Sequence, residues 1–243
     1  ELIPSENYAS RNVREALGSV LNNKYSEGYP GARYYGGQTN VDQIEEIAKA
    51  RALKMFKLSP DGWHANVQPY SGSPANLAVY SAVLNPGDKI LGMKLDQGGH
   101  ITHGLSISFP GRIFNFSFYG VDEKTEMIDY DELEKIAKKI KPKMIVCGAT
   151  AYSRIIDFKK FSEIAKKIGA YMLADISHIA GLVATQNHTS CFPWCDVAVF
   201  TTHKNFRGPR GAVIISKKEI SDRINRAIFP TLQGGPHNNQ ILA

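Results

Sequence analysis

The sequence predicts an α/β protein with a mostly parallel sheet covered by helices on both faces, a three-layer α/β/α arrangement. Three observations lead there. Apolar runs of strand length alternate with longer segments whose apolar residues recur at helical spacing, the order expected when crossover helices join parallel strands. With 243 residues, 43% of them hydrophobic, the chain is long enough to bury a sizeable core. The residues able to do chemistry fall just after the apolar runs, where open α/β sheets bind their ligands.

Taken in order, residues 41–56 carry apolar side chains at helical spacing. A helix over 75–84 follows, with Ser73 as its N-cap and Pro74 at its first position, where a missing N–H costs nothing. Asn85-Pro-Gly-Asp88 reads as a turn. Residues 89–93, 143–147, 170–174 and 196–200 read as short buried strands, and 211–215 has strand length too. Between them, 131–140 and 158–168 are amphipathic helices whose lysines form a solvated face. No repeat, low-complexity tract or Pro/Ser-rich linker interrupts the series, so one domain covers most of the chain.

Composition narrows the function classes. No apolar run approaches the roughly 18 to 20 residues of a membrane helix, so no membrane partner is expected. The net charge of +6 is spread over amphipathic helices, which argues against nucleic acid as a partner. Cys147, Cys191 and Cys195 are too few for a disulfide framework and favour a reducing compartment. Cys191, Cys195 and His188 lack a second ligand pair at zinc spacing; near His100 and His103, Asp96 has no obvious partner and the spacing is not a ligand signature, so no metal is expected. The chain does not begin with methionine, which leaves its targeting open.

Three segments carry candidate chemistry. Lys204 follows an apolar run, two hydroxyls and His203, and precedes a glycine-rich basic turn with Arg210. It is either a solvated lysine in a connection or an amine that holds an aldehyde cofactor. Ser71-Gly72-Ser73 offers hydroxyls and backbone N–H groups at a helix start, which suits a phosphate or carboxylate and equally suits a plain capped helix. Asp175, after the run 170–174, either keeps a pyridine nitrogen protonated or caps the following turn, with His178 a core histidine. Between these, the glycines before His100 allow close backbone approach, and His100 is placed to stack on a flat ligand.

Together these features resemble a fold-type I pyridoxal-phosphate enzyme. More narrowly the chain resembles serine hydroxymethyltransferases, through Leu2-Ile-Pro-Ser-Glu-Asn7, the tyrosine-rich run 23–37, Val67 to Ser73, Gly98 to Gly104, Asp175 to His178, Thr201 to Lys204 and Phe229 to Pro236. The resemblance implies transfer of the serine hydroxymethyl group to tetrahydrofolate, giving glycine and 5,10-methylenetetrahydrofolate, with pyridoxal phosphate bound covalently to Lys204. It implies Asp175 at the ring nitrogen, His100 on the ring face, and Ser71, Gly72 and Ser73 at the phosphate. Tyr25, Gly234 and Gly235 would come from the neighbouring subunit of a homodimer, or of a tetramer. Glu27 becomes the acid/base, Tyr35 a substrate contact, and Ser5 and Arg210 substrate-side residues. Leu95, Gly99 and Ile101 line the folate pocket, while Thr150, His178, Thr201 and His203 support the cofactor.

Thr150 stands where the family commonly has serine, which keeps the hydroxyl. The resemblance also implies an N-terminal arm over 1–36 that serves the dimer interface, and a cofactor-binding large domain over 37–243. Family members continue into a smaller domain with the arginine for the substrate carboxylate. A cytoplasmic enzyme is expected, with mitochondria left open. The competing readings are another fold-type I enzyme, such as a threonine aldolase or an aminotransferase, and a cofactor-binding or dimerisation module without turnover.

Overall fold

The computed structural model describes residues 2–243. Its strands are β1 (Gly28–Tyr29), β2 (Ala32–Arg33), β3 (Trp63–Asn66), β4 (Lys89–Met93), β5 (Asn115–Tyr119), β6 (Met144–Cys147), β7 (Tyr171–Asp175), β8 (Val197–Thr201) and β9 (Ala212–Lys217). Its α-helices are α1 (Arg11–Leu17), α2 (Thr39–Met55), α3 (Gly72–Val83), α4 (Phe109–Ile113), α5 (Tyr130–Ile140), α6 (Phe158–Ile168), α7 (Ala180–Ala184), α8 (Ser221–Arg226) and α9 (Asn238–Leu242). The main sheet has seven strands in the order β3-β9-β8-β7-β6-β4-β5. Pairs β4·β5, β4·β6 and β6·β7 are parallel, and β3·β9 is antiparallel, so the α/β class expected from the alternation is the one found. The chain divides into two compact units, Glu1–Ala82 with Val199–Ala243, and Val83–Ala198.

The second unit shows how pattern becomes structure. Every residue of β6 is buried, and so are four of the five in β4, the signature of parallel strands covered on both faces. Helices α5 and α6 turn Leu133 and Ala137, and Phe158, Phe161, Ile164 and Ala165, inward while their lysines stay in water. Each starts at an aspartate cap: Asp129 accepts from the N–H groups of Asp131 and Glu132, and Asp157 from that of Lys160. Gly169 ends α6 in the left-handed conformation. The Asn85–Asp88 turn closes through the Asp88 N–H on the Asn85 carbonyl at 3.0 Å.

Helix α6 and strand β4 keep the expected limits, and most other elements move by one or two residues. Two shifts concern chemistry, because Asp175 and Thr201 become the last residues of their strands instead of lying beyond them. The start of α3 needs a larger correction. The Ser71 carbonyl accepts from the Ala75 N–H at 3.1 Å, so Ser71 rather than Ser73 sits at the cap position and Pro74 is the third helical residue. N–H groups throughout the first turn lack intrahelical acceptors, so proline fits the third position as well as the first, and the letters alone do not choose. The strands β3 and β5 are additional to the expected ones; β3 carries no apolar alternation, whereas β5 does alternate Phe116 and Phe118 with Asn115 and Ser117.

Gly148, directly after β6, has φ +132°, and a Cβ there would run into the Asp175 carbonyl. Gly148→Ala is therefore expected to lower stability by about 2–4 kcal/mol, read as a shift in the urea midpoint.

Candidate active site

In the first unit, β8 delivers Thr201 and the chain then turns through Thr202 to Gly211. The Thr202 hydroxyl donates to the Pro209 carbonyl at 2.6 Å, and the Thr202 N–H to that of Gly211 at 3.1 Å. These bonds tighten the turn, so Lys204 lies three residues past the strand and is only 8% exposed. Burying an ammonium costs several kcal/mol, which makes a buried lysine in a loop a chemical feature rather than a packing one. The Asn7 side chain donates to the Lys204 carbonyl at 2.9 Å, and Arg207 donates to the Tyr8 carbonyl at 3.0 Å, so Asn7 and Tyr8 run past the turn that carries the lysine. Asn7 carries no role legible in the sequence, since nothing local links it to a residue 197 positions away.

Around this turn, buried polar atoms lie without hydrogen-bond partners: Thr201 Oγ1 and His203 Nδ1. Burial holds the His203 imidazole below its ordinary value, and the charges of Arg210 and Lys204 add to this. Arg210 itself is exposed. Gly72 sits where a Cβ would meet Thr201 Cγ2 at 2.8 Å, so the start of α3 and the end of β8 approach closely only because residue 72 is glycine. The α3 start thus presents Ser71, Gly72 and Ser73 beside an unsatisfied threonine hydroxyl, a setting for an anion.

A second group in the same unit gathers around Glu27. The Tyr35 hydroxyl donates to Glu27 Oε2 at 3.0 Å, which is the main reason its pKa is raised. The Tyr25 ring meets Tyr35 edge to face, with centroids 6.1 Å apart. Gly235 lies against Glu27, where a Cβ on residue 235 would fall 3.4 Å from Glu27 Cγ, and Gly234 lies beside the carboxylate. Five residues expected to act together, Tyr25, Glu27, Tyr35, Gly234 and Gly235, are therefore neighbours. Tyr70 ties the Gly235 segment down, its hydroxyl donating to the Gly235 carbonyl at 2.8 Å and its ring stacked on His237 at 4.3 Å.

In the second unit, Asp175 ends β7 and is 7% exposed. Its Oδ1 accepts from the Ser177 hydroxyl at 2.7 Å and the Ser177 N–H at 3.2 Å, so it does cap the following turn. Its Oδ2 lies 2.9 Å from His103 Nε2. His178 is half-buried in that turn. His100 heads a short helical turn, with Nδ1 2.7 Å from the Thr102 hydroxyl and its ring edge to face with His103 at 5.6 Å. Gly99 is required by backbone, since a Cβ there would run into the Met93 carbonyl. Leu95 and Ile101 are each 46% exposed, and Leu95 and His100 border a cavity of about 380 Å³ that reaches Phe118. The Thr150 N–H donates to the Gly98 carbonyl at 2.7 Å, while its buried hydroxyl has no partner.

His103, 2.9 Å from Asp175, is a candidate site residue to which the sequence pattern assigns no role, though its place three positions after His100 is a usable signal. Spacing argues against a metal, yet folding brings ligand atoms of His100, His103 and Asp175 within 4.8 Å of one another. The Cys191, Cys195 and Cys147 thiols are all buried, and burial raises the Cys147 and Cys195 values well above normal, which favours the neutral thiol. Among the described residues no helix is long and apolar enough to cross a membrane.

A family profile described as Serine hydroxymethyltransferase matches residues 1–243, the whole chain. The chain belongs to the serine hydroxymethyltransferase family. It is similar to a protein named Serine hydroxymethyltransferase from Methanosarcina barkeri (strain Fusaro / DSM 804), 59% identical over 236 residues, 97% of this chain. The match covers 56% of that relative, so the chain spans a little over half its length. Membership in the serine hydroxymethyltransferase family agrees with the resemblance carried by the tyrosine-rich run and the Lys204 segment.

Proposed function

We propose that this chain is the cofactor-binding part of an enzyme that moves the hydroxymethyl group of serine to tetrahydrofolate, yielding glycine and 5,10-methylenetetrahydrofolate. The observation that carries the reading is the buried Lys204, flanked by Thr201 and His203 whose polar atoms lack protein partners. Pyridoxal phosphate fits the residues present. In the first unit Lys204 would supply the amine, the α3 start with Ser71, Gly72 and Ser73 would supply phosphate donors, and Thr201 and His203 would supply unsatisfied groups; in the second, Thr150 would supply an unsatisfied hydroxyl. Asp175, held by Ser177 and His103, would keep the ring nitrogen protonated, with His100 on the ring face and His178 nearby. When bound, the cofactor supplies an electron sink for the pair released as the serine bond breaks.

The chain's own residues would do the rest. Glu27, hydrogen-bonded by Tyr35, would take the hydroxyl proton of serine and return it as water leaves during one-carbon transfer. Ser5, Tyr35 and Arg210 would orient the amino acid, and Leu95, Gly99 and Ile101 would border the folate. Tyr25, Glu27, Gly234 and Gly235 form a group with an exposed aromatic face, Tyr25 being 65% exposed, which suits donation to a second subunit in a homodimer or tetramer. Buried thiols fit a reducing, cytoplasmic setting.

Folate separates this reading from an aldolase or aminotransferase. In the full-length protein, serine cleavage should depend on tetrahydrofolate, and Glu27→Gln should lower that turnover by about 10²–10⁴-fold while pyridoxal phosphate still binds. Turnover that ignores folate would end the hydroxymethyltransferase reading. Undiminished folate-dependent turnover in Glu27→Gln would remove Glu27 from the mechanism.

A further inference from the structure

The loop that carries Glu27 and Tyr35 is poorly equipped to hold itself. Its hairpin consists of β1 and β2, two residues each, far short of a self-supporting unit. Tyr34 and Tyr35 are largely exposed, and the Tyr34 N–H donation to the Glu27 carbonyl at 3.2 Å is weak support. Bonds to the rest of the unit hold it: the Ser26 hydroxyl donates to Asn238 Oδ1 at 2.6 Å, the Tyr29 hydroxyl to the Asn225 carbonyl at 2.7 Å and the Gln38 amide to the Tyr25 carbonyl at 2.9 Å. One side chain grips the backbone on both sides of Glu27.

Arg33 has the geometry for it. Its Nη1 donates to the carbonyls of Ser26 at 2.8 Å and Gly28 at 2.9 Å, the two residues that bracket Glu27. From the same guanidinium, Nε donates to Asp42 Oδ1 at 2.9 Å and Nη2 to Glu45 Oε2 at 2.6 Å, both on α2 and one turn apart. Asp42 also accepts from the Gly31 N–H at 3.1 Å, at the tip of the hairpin. Gln68 closes the network, its amide donating to the Gly28 carbonyl at 3.0 Å and to Glu45 Oε1 at 2.9 Å. The Arg33 and Glu45 side chains are 3% and 1% exposed. Burial leaves the Glu45 carboxyl raised although Arg33 and Gln68 pull it down. The arrangement is a buried fork between loop and helix, a geometry that a lysine ammonium does not reproduce.

We propose that Arg33, seated on Asp42 and Glu45, is the positioning residue that aims Glu27 at the reacting substrate. The inference rests on the reading of Glu27 as the acid/base. Such a buried pair is retained here for the place it holds rather than for net stability, since buried ion pairs contribute little net stability.

The test uses the full-length holoenzyme with Arg33→Lys, Glu45→Gln, Glu27→Gln and the double variant Arg33→Lys/Glu27→Gln. Arg33→Lys should lower kcat for folate-dependent serine cleavage about tenfold or more, with KM for serine little changed and the cofactor absorption spectrum intact. Amide exchange should rise over residues 25–36 and stay unchanged over 74–83. The double variant should be no slower than Glu27→Gln alone, because the arginine acts through the glutamate, whereas a general loss of structure would multiply the two defects. Glu45→Gln keeps the side-chain volume and serves if Arg33→Lys folds poorly; it should reproduce the kcat loss at smaller size. Wild-type kcat in both Arg33→Lys and Glu45→Gln, or multiplied defects in the double variant, would overturn the positioning role while leaving Glu27 in place. Full turnover in Glu27→Gln would overturn both.

Discussion

Lys204→Ala is expected to abolish covalent retention of pyridoxal phosphate and to lower folate-dependent serine turnover by roughly a thousandfold or more. The reason is chemical, because among the nearby groups Lys204 is the amine held out of water, 8% exposed in a turn fastened by Thr202 and by Asn7. Reduction with borohydride followed by mass mapping should place the cofactor on the peptide containing Lys204 in the parent protein and nowhere in the variant. Reversible binding should survive in weakened form, since the α3 start and Thr201 remain. A variant that holds the cofactor through dialysis and turns over at the parent rate would defeat the assignment.

The second large effect is expected at Asp175. Asp175→Asn keeps the shape and still accepts from Ser177, but it removes the negative charge from the end of β7. An opposite charge within about 4–6 Å typically moves a pKa by 1–3 units, so the ring nitrogen would lose its proton more readily by that amount. Each unit is about 1.4 kcal/mol, and turnover should fall by about 10- to 1,000-fold, with the defect easing as pH is lowered. His103, 2.9 Å from the second Asp175 oxygen, would set how that carboxylate faces a bound ring. Initial rates between about pH 6 and 9, with cofactor saturation verified by absorbance, would check this. An Asp175→Asn enzyme with an unchanged pH profile and rate would show that Asp175 only caps its turn.

Much of this protein is legible in the letters. Amphipathic spacing in 158–168, capped by Asp157 and ended by Gly169, is a local signal, and it produces α6 with the expected limits. The apolar run around β6 is equally plain, because parallel strands buried on both faces need no polar alternation. The α3 start falls two residues earlier than its letters suggest, because proline satisfies several positions of a first turn. The short strands β1 and β2 leave no pattern at all, since two residues carry no period.

The candidate site divides along the same line. Sequence by itself determined the α/β class, the family, and the residue types with distinctive chemistry, Lys204, Asp175, Glu27 and the Ser71 to Ser73 start, because each belongs to a short run of neighbouring letters. Only tertiary structure decided which partners hold them. His103 reaches Asp175 across 72 positions, Asn7 reaches Lys204 across 197, and Gln68 joins Glu45 to the Gly28 carbonyl beside Glu27. Such bonds depend on where whole elements pack, and neither hydrophobic period nor local propensity encodes the meeting of two distant side chains.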